Sequence, residues 1–400
     1  MRKKIRVLIF SCEGQFTACY QIRIISPFSY FPQDQFEFVY APSLKAILKL
    51  PWLPNVVLFR RNFYPFSEVD KIVEFARSRN IITIMDIDDL VTQVPSGHPS
   101  FFGYQEIKHI MIRLMKKMDF IMVTNDRLRR HFNAYNPHTY VLPNLLDLKI
   151  WNKVNEKQIM KRAEKDKLIV GYAGSSTHKY DFKPVIPAIR YLLSKYRDKI
   201  CFKFLGCIPD ELRNVTGVAY LGDVINSYRQ YADILKQSKF DLVISPLEDN
   251  AFNQCKSNIK FLEYSVCGFP GIYSAVGPYI DSVQDKKTGL LTENTPDSWI
   301  QSMEFLINDP KLRNNLGENA YHYVRANYLL EEGAKKWYQF YSQLIPNGQR
   351  KLAKRFSLAP LVTYAPYIAY AQLSKMYSCI VNFVKIFFRL LKTPIIKRKI

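Results

Sequence analysis

The sequence predicts an α/β protein: two doubly wound, Rossmann-like domains facing a central cleft, followed by a C-terminal amphipathic helical tail. Three observations carry that expectation. Short, β-branched apolar runs alternate with stretches of helical periodicity, the order that yields parallel sheets covered on both faces. A highly charged stretch without a continuous apolar face, residues 149–167, divides this pattern into two similar halves. Beyond Pro346 the composition changes, with eleven Lys/Arg and no Asp/Glu up to Ile400.

In the first half, KIRVLIF (4–10), NVVLFRR (55–61), IITIMDI (81–87), DFIMV (119–123) and TYVLP (139–143) read as strands. Helical segments lie between them: one from about Ala18 to Pro27, one within 65–80 ending in a basic turn that complements the helix dipole, one over about 104–118, and a short RLRRHFNAY. The pattern restarts at Leu168. LIVGYAG, KICFKFLG, GVAYLG, DLVISP, GIYS and LLT read as strands, with helices over about 182–196, along SYRQYADILKQS, from about Ser257, and over 296–308 and 310–327.

The chain's 400 residues, 48% hydrophobic and 14% aromatic, suffice for two buried cores and exclude global disorder. Seven cysteines show no C-x-x-C spacing and no metal-like grouping with the six histidines, which points to a reduced, cytosolic protein without a structural zinc. MRKKIRVLIF is too short an apolar run for a leader and reads as the first strand; no run of about 18 apolar residues suggests a spanning helix. The net charge is +22, and half of that excess lies in the tail. Within it, Asn382, Lys385, Arg389 and Lys392 form one polar stripe opposite a broad aromatic and aliphatic face, as in a helix lying in an anionic membrane surface. Packing on the protein's own body, or an oligomer interface, is the alternative for the same face.

Candidate chemistry gathers at the ends of the strands, where open α/β sheets bind ligands. Asp241–Ser274 runs strand, acidic loop, helix, strand, with Lys256, Asn258 and Lys260 at the helix start and Glu263 inside it. Cations and helix-terminal N–H groups suit phosphates, and a carboxylate suits ribose hydroxyls. VGYAGSSTHKYDF (170–182) adds Gly171 and Gly174 for close backbone approach, Ser175 and Ser176 as donors, and Lys179 as a cation. Asp86, Asp88 and Asp89 in DIDDL suit a divalent metal or a base, or equally a capped, solvated turn. Gly14 with Gln15 and Thr17 can shape the first-domain side of the cleft. Arg23 suits an anionic acceptor or an exposed helix face. His178 is the one histidine in a candidate site, and it has no partner evident in the sequence.

With these pieces assembled, residues 168–330 resemble the donor domain of family 4 (group 1) retaining glycosyltransferases of the GT-B fold. The resemblance rests on VGYAGSSTHKYDF, the K-F-L-E-Y…G-x-P element within 241–274, KKTGLLT and DPKLRNNLGENAYHYVRANY; IMDIDDL, VTND and VLPN match more loosely. It implies an acceptor-side domain (1–148), a linker (149–167), a donor domain (168–330), a closing helix (331–345) and the tail (346–400). It implies transfer from a nucleotide-diphosphate sugar without an obligatory metal, to a lipid-linked saccharide or glycan acceptor, by a protein peripheral on the cytoplasmic face of a membrane. Glu263 takes the ribose-binding position; Lys179, Lys256 and Lys260 bind phosphate; Asp86 or Asp88 faces the reacting sugar. Pro246, Leu247, Asn253, Ser257 and Asn258 complete the donor loop with Gly14, Gly174, Ser175 and Ser176. Two positions depart from the family: Cys255 and Ser175 stand where it usually carries Glu and Arg.

Two rival readings are a sugar-nucleotide epimerase on the same fold and a noncatalytic basic protein binding nucleic acid or membrane. The charge concentrates in an aromatic tail, and no nucleic-acid motif accompanies it, so no nucleic-acid partner is expected. Deleting 351–400 is expected to release the protein from anionic vesicles, as read by co-sedimentation; continued sedimentation would exclude the tail as the anchor.

Overall fold

A computed structural model describes residues 4–11, 17–41, 43–61, 66–151, 167–223 and 227–344. Gly14, nearly all of the expected linker and the whole tail lie outside these residues. The first sheet contains β1 (Ile5–Phe10), β2 (Phe36–Tyr40), β3 (Val56–Arg60), β4 (Ile82–Ile87), β5 (Phe120–Val123) and β6 (Thr139–Val141), all parallel, in the order β2-β1-β3-β4-β5-β6. The second contains β7 (Leu168–Ala173), β8 (Ile200–Leu205), β9 (Val218–Tyr220), β10 (Leu242–Ser245), β11 (Gly271–Ser274) and β12 (Leu290–Thr292), also parallel, in the order β12-β11-β10-β7-β8-β9. The expected two-sheet GT-B architecture is therefore present.

The inner strands are hydrophobic on both faces because helices cover both; β3 and β10 are buried along their whole length. Strand β2, FEFVY, was not expected from the sequence. It is an edge strand, with Glu37 half-buried and Phe38 exposed, so it lacks the continuous apolar run of its neighbours. Gly171, expected to let a ligand approach the backbone, is instead a packing residue: a Cβ there would lie 2.2 Å from the Phe240 ring.

Each sheet has one point where the strand order reverses, between β1 and β3 in the first and between β7 and β10 in the second. Crevices outside the carboxyl ends at such points are where doubly wound sheets hold ligands. The chain returns to the first domain at its end. Leu330 N–H donates to Leu146 O (2.9 Å), and the helix Leu330–Leu344 inserts Trp337, Phe340, Tyr341 and Leu344 into the core beneath β1, β3 and β4. Among the described residues no helix is long and apolar enough to cross a membrane.

A buried charge cluster ties these parts together. Asp86, at the end of β4, is fully buried and receives Arg23 Nη2 at 2.6 Å and the Arg60 guanidinium. Arg23 lies in a π-helical turn, Gln21–Ile25, stacks 4.7 Å from the Trp337 ring centroid, and donates to Leu142 O and Asn144 Oδ1. This corrects the expectation of an exposed Arg23, and that of an Asp86 facing the reacting sugar; Arg23 borders the cleft but spends its donors on these internal acceptors. Two buried guanidinium groups need a counter-ion more than the cleft needs this carboxylate. Asp86→Ala is expected to destabilise the fold by about 3–5 kcal/mol, read as a lower urea midpoint with an unchanged slope.

Candidate active site

A cavity of about 780 Å³ opens between the carboxyl ends of the two sheets, and residues from both domains line it. The second domain contributes Gly174–His178 after β7, Gly206 after β8, Leu247 and Phe252 after β10, and Lys256, Ser257, Lys260 and Glu263 from the start of the helix Ile259–Val266 and the turn before it. The first domain contributes Arg61, Asp88, Asp89, His98, Tyr104 and Asn144.

Lys260 sets the electrostatics. It is 8% exposed, its ammonium lies 5.3 Å from the Tyr172 ring centroid, and among the described residues no carboxylate comes within ion-pair distance of it. Burial, with Lys256 nearby, pushes its pKa down to about 8; Glu263, one helical turn on, opposes the shift without touching it. Gly174 makes the space, because a Cβ there would lie 2.5 Å from Lys260 Nζ and 2.5 Å from the Tyr172 hydroxyl. A buried ammonium beside a bare backbone loop and a helix start is arranged for an anion supplied from outside.

Glu263 is 4% exposed and accepts the hydroxyls of Tyr228 and Tyr231, each at 2.8 Å. Burial raises its pKa, and the two tyrosine donors oppose that rise. Each carboxylate oxygen retains a lone pair, so the group can still accept from a vicinal diol. The tyrosines went unassigned in the sequence. Their signal is the i, i+3 spacing at the start of the helix Tyr228–Gln237, which puts both on one face.

On the opposite wall, Arg61 pairs with Asp88 (3.0 Å) and Asp89, and Asp89 reaches Lys256 Nζ at 3.3 Å across the domain boundary. Burial resists ionisation of Asp88, but Arg61, Arg60 and Arg23 outweigh it and hold the carboxyl well below its ordinary range. Asp89 is likewise lowered against burial, by Lys256 and Arg61. The DIDDL carboxylates are thus engaged by cations. Arg60 and Arg61 were read only as the end of a strand.

Several other expected residues are employed elsewhere. Lys179, on the short 3₁₀ segment Ser176–Phe182, is not in the cavity wall; it is turned outward and pairs with Asp210. Asn258 donates to Ser282 Oγ (2.9 Å), and Asn253 donates to Asp181 Oδ1 (2.8 Å) and Glu248 O (2.9 Å). Pro246 is buried and does not line the cavity, whereas Leu247 does. Ser175 and Ser176 line it, with Ser175 Oγ 2.6 Å from Thr177 Oγ1.

Cys255 also has a physical account. Its side chain sits in the first domain's core cluster, and its carbonyl accepts from Asn125 Nδ2 at 2.9 Å. Asn144 Nδ2 donates to Ser257 Oγ at 3.1 Å. The asparagines of VTND and VLPN therefore join the domains beside the cavity, and a glutamate at 255 would put a charge into an apolar core.

Residues 154–323 match the family described as glycosyl transferases group 1. No curated protein matches the chain. Among solved structures, it resembles Anabaena HepE in complex with UDP-glucose (TM-score 0.60, 12% identity, 85% of this chain and 100% of that one). It also resembles a sucrose-phosphate synthase from Thermosynechococcus elongatus (TM-score 0.60, 15% identity, 86% and 99%) and a glycosyltransferase from Rickettsia africae (TM-score 0.59, 13% identity, 87% and 100%). At these identities the likeness establishes the fold, which is GT-B; with the family match, the protein is a glycosyltransferase.

The Lys260 environment makes a signed prediction. Its folded pKa is below the unfolded value, so its charge costs stability below pH 8, and that cost fades as pH rises toward the unfolded pKa. Lys260→Met should therefore stabilise the ligand-free protein at pH 7 by on the order of 2 kcal/mol, measured by urea unfolding. An anion held by Lys260 needs the ammonium, so affinity for a nucleoside diphosphate should weaken above about pH 8 in the native protein. In the variant, affinity should be low and lack that step, as read by calorimetric titration.

Proposed function

We propose that the protein transfers a glycosyl group from a nucleotide-diphosphate sugar to a saccharide or lipid-linked acceptor, with retention of configuration, as the family 4 resemblance implies. The observation that carries this reading is the uncompensated Lys260 ammonium beside Gly174, with a tyrosine-held Glu263 one turn further along the same helix. A nucleoside diphosphate matches both: phosphate oxygens for Lys260 and Lys256, ribose hydroxyls for Glu263. A uridine nucleotide is the first donor to test, since structures of HepE hold UDP and UDP-glucose.

The chemistry is electrostatic. As the bond from sugar to diphosphate breaks, negative charge grows on the leaving oxygen, and Lys260, Lys256 and the N-terminus of the helix Ile259–Val266 stabilise it. The acceptor hydroxyl enters from the first-domain wall. Asp88 and Asp89 there are ion-paired and weakly basic, so the departing diphosphate is the better proton acceptor. Retention requires the hydroxyl to attack the same face of the sugar that the diphosphate leaves. Lys179 is assigned no part in these steps, and Asp86 acts through Arg23 and Arg60 as a positioning residue.

The basic, aromatic tail would bring this cavity to an anionic membrane surface, which favours a lipid-linked acceptor and polysaccharide assembly. Thermal-shift screening against a nucleotide-sugar panel, with and without acceptors, tests the reading; conversion of the donor alone would indicate an epimerase. Glu263→Ala should keep the fold and weaken diphosphate-nucleotide affinity by about 10-fold or more, as expected for one or two lost hydrogen bonds to a charged group. Unchanged affinity would remove the ribose assignment.

A further inference from the structure

His178 lines the cavity, and its Nδ1 lies 2.8 Å from Asp181 Oδ2. Asp181 is buried, and its other oxygen accepts from Glu248 N (2.9 Å) and Asn253 Nδ2 (2.8 Å). These contacts hold Asp181 as an acceptor, which requires the imidazole proton on Nδ1 and leaves a lone pair on Nε2. Nε2 has no partner among the described residues. Burial first, then the charges of Lys260 and Lys256, pushes the pKa of His178 down to about 4, so the ring is neutral near pH 7.

An acceptor nitrogen cannot face a phosphate oxygen, which has only lone pairs to offer; it needs a hydroxyl. The order of groups says which one. Glu263 lies deeper in the helix, Lys260 one turn nearer its start, and His178 is tied through Asp181 to the loop preceding that helix. If ribose occupies Glu263 and diphosphate Lys260, the next part of the donor is the sugar.

We propose that His178 is a specificity-determining residue that accepts a hydrogen bond from a hydroxyl of the transferred sugar through Nε2, with Asp181 fixing its tautomer. The inference rests on the donor reading of the cavity. The polar contact then comes from the first loop of the second domain, braced against residues 248–253. Sites that read a hydroxyl discriminate strongly against analogues lacking it, because the buried acceptor is then left unpaired.

The test titrates the native protein, His178→Phe and His178→Gln calorimetrically at pH 7.5. The probes are UDP, GDP and ADP, their glucose, galactose and N-acetylglucosamine conjugates, and singly deoxygenated forms of the tightest conjugate. His178→Phe should bind the bare diphosphate within about 2-fold of native and lose about 10-fold for the conjugate, the size of one hydrogen bond. One deoxy position should cost the native protein a similar factor and cost His178→Phe nothing. His178→Gln, with an acceptor near Nε2, should recover part of the loss, which a merely structural role would not produce. Equal loss of bare diphosphate, unchanged conjugate affinity, or no coupled deoxy position each overturns the inference while the nucleotide reading stands. Failure of every diphosphate to bind the native protein overturns the nucleotide reading, and the inference with it.

Discussion

The structure depends on a carboxylate that never meets the cleft. Asp86 balances Arg23 and Arg60, and through Arg23 it reaches the Trp337 ring, Leu142 O and Asn144. Those contacts join the first helical segment, two central strands, the returning C-terminal helix and the loop after β6. Asn144 then donates to Ser257 in the second domain, so the frame extends to the opposite wall of the cavity. Breaking a buried pair by removing one partner is far costlier than never having built it, and this holds such a cluster in place once the cleft is built around it.

The two cavity walls solve opposite electrostatic problems. The first-domain wall is neutralised: Arg61 pairs with Asp88 and Asp89, and Lys256 of the second domain reaches Asp89 across the boundary. The second-domain wall is left incomplete. Lys260 is buried without a carboxylate in contact, the Tyr172 hydroxyl beside it finds no partner among the described residues, and Glu263 is held by neutral tyrosines. Such a site costs stability when empty and recovers it when an anion arrives. The Asp89–Lys256 pair spans the walls, so the distance between domains and the charge available to a ligand are linked.

Of the two positions where the sequence departs from the resemblance, Ser175 lines this wall and Cys255 does not. Cys255 turns its side chain into the first domain's core and lends only its carbonyl to Asn125. Ser175 lines the cavity in the loop that also carries His178, which Asp181 braces. This wall therefore combines a buried ammonium, Lys260, with a neutral, braced imidazole.

The amino-acid sequence by itself determined the two parallel sheets, because fully buried strands must be continuous apolar runs and their helices must show 3.6-residue periodicity. It also determined that Lys256, Lys260 and Glu263 share one site, since one short strand–loop–helix unit carries all three. Local patterning could not reveal β2, whose edge position removes the apolar run. It could not reveal the Tyr228–Glu263–Tyr231 set or the fate of Asp86, because their partners are 26 to 63 residues apart in sequence. Lys179 and Lys260 are equally basic on paper. Tertiary structure alone separated them: one is turned outward to Asp210, and the other is enclosed beside Gly174 with no counter-ion among the described residues. Burial and pairing decide what a charge does, and both are properties of contacts between distant segments.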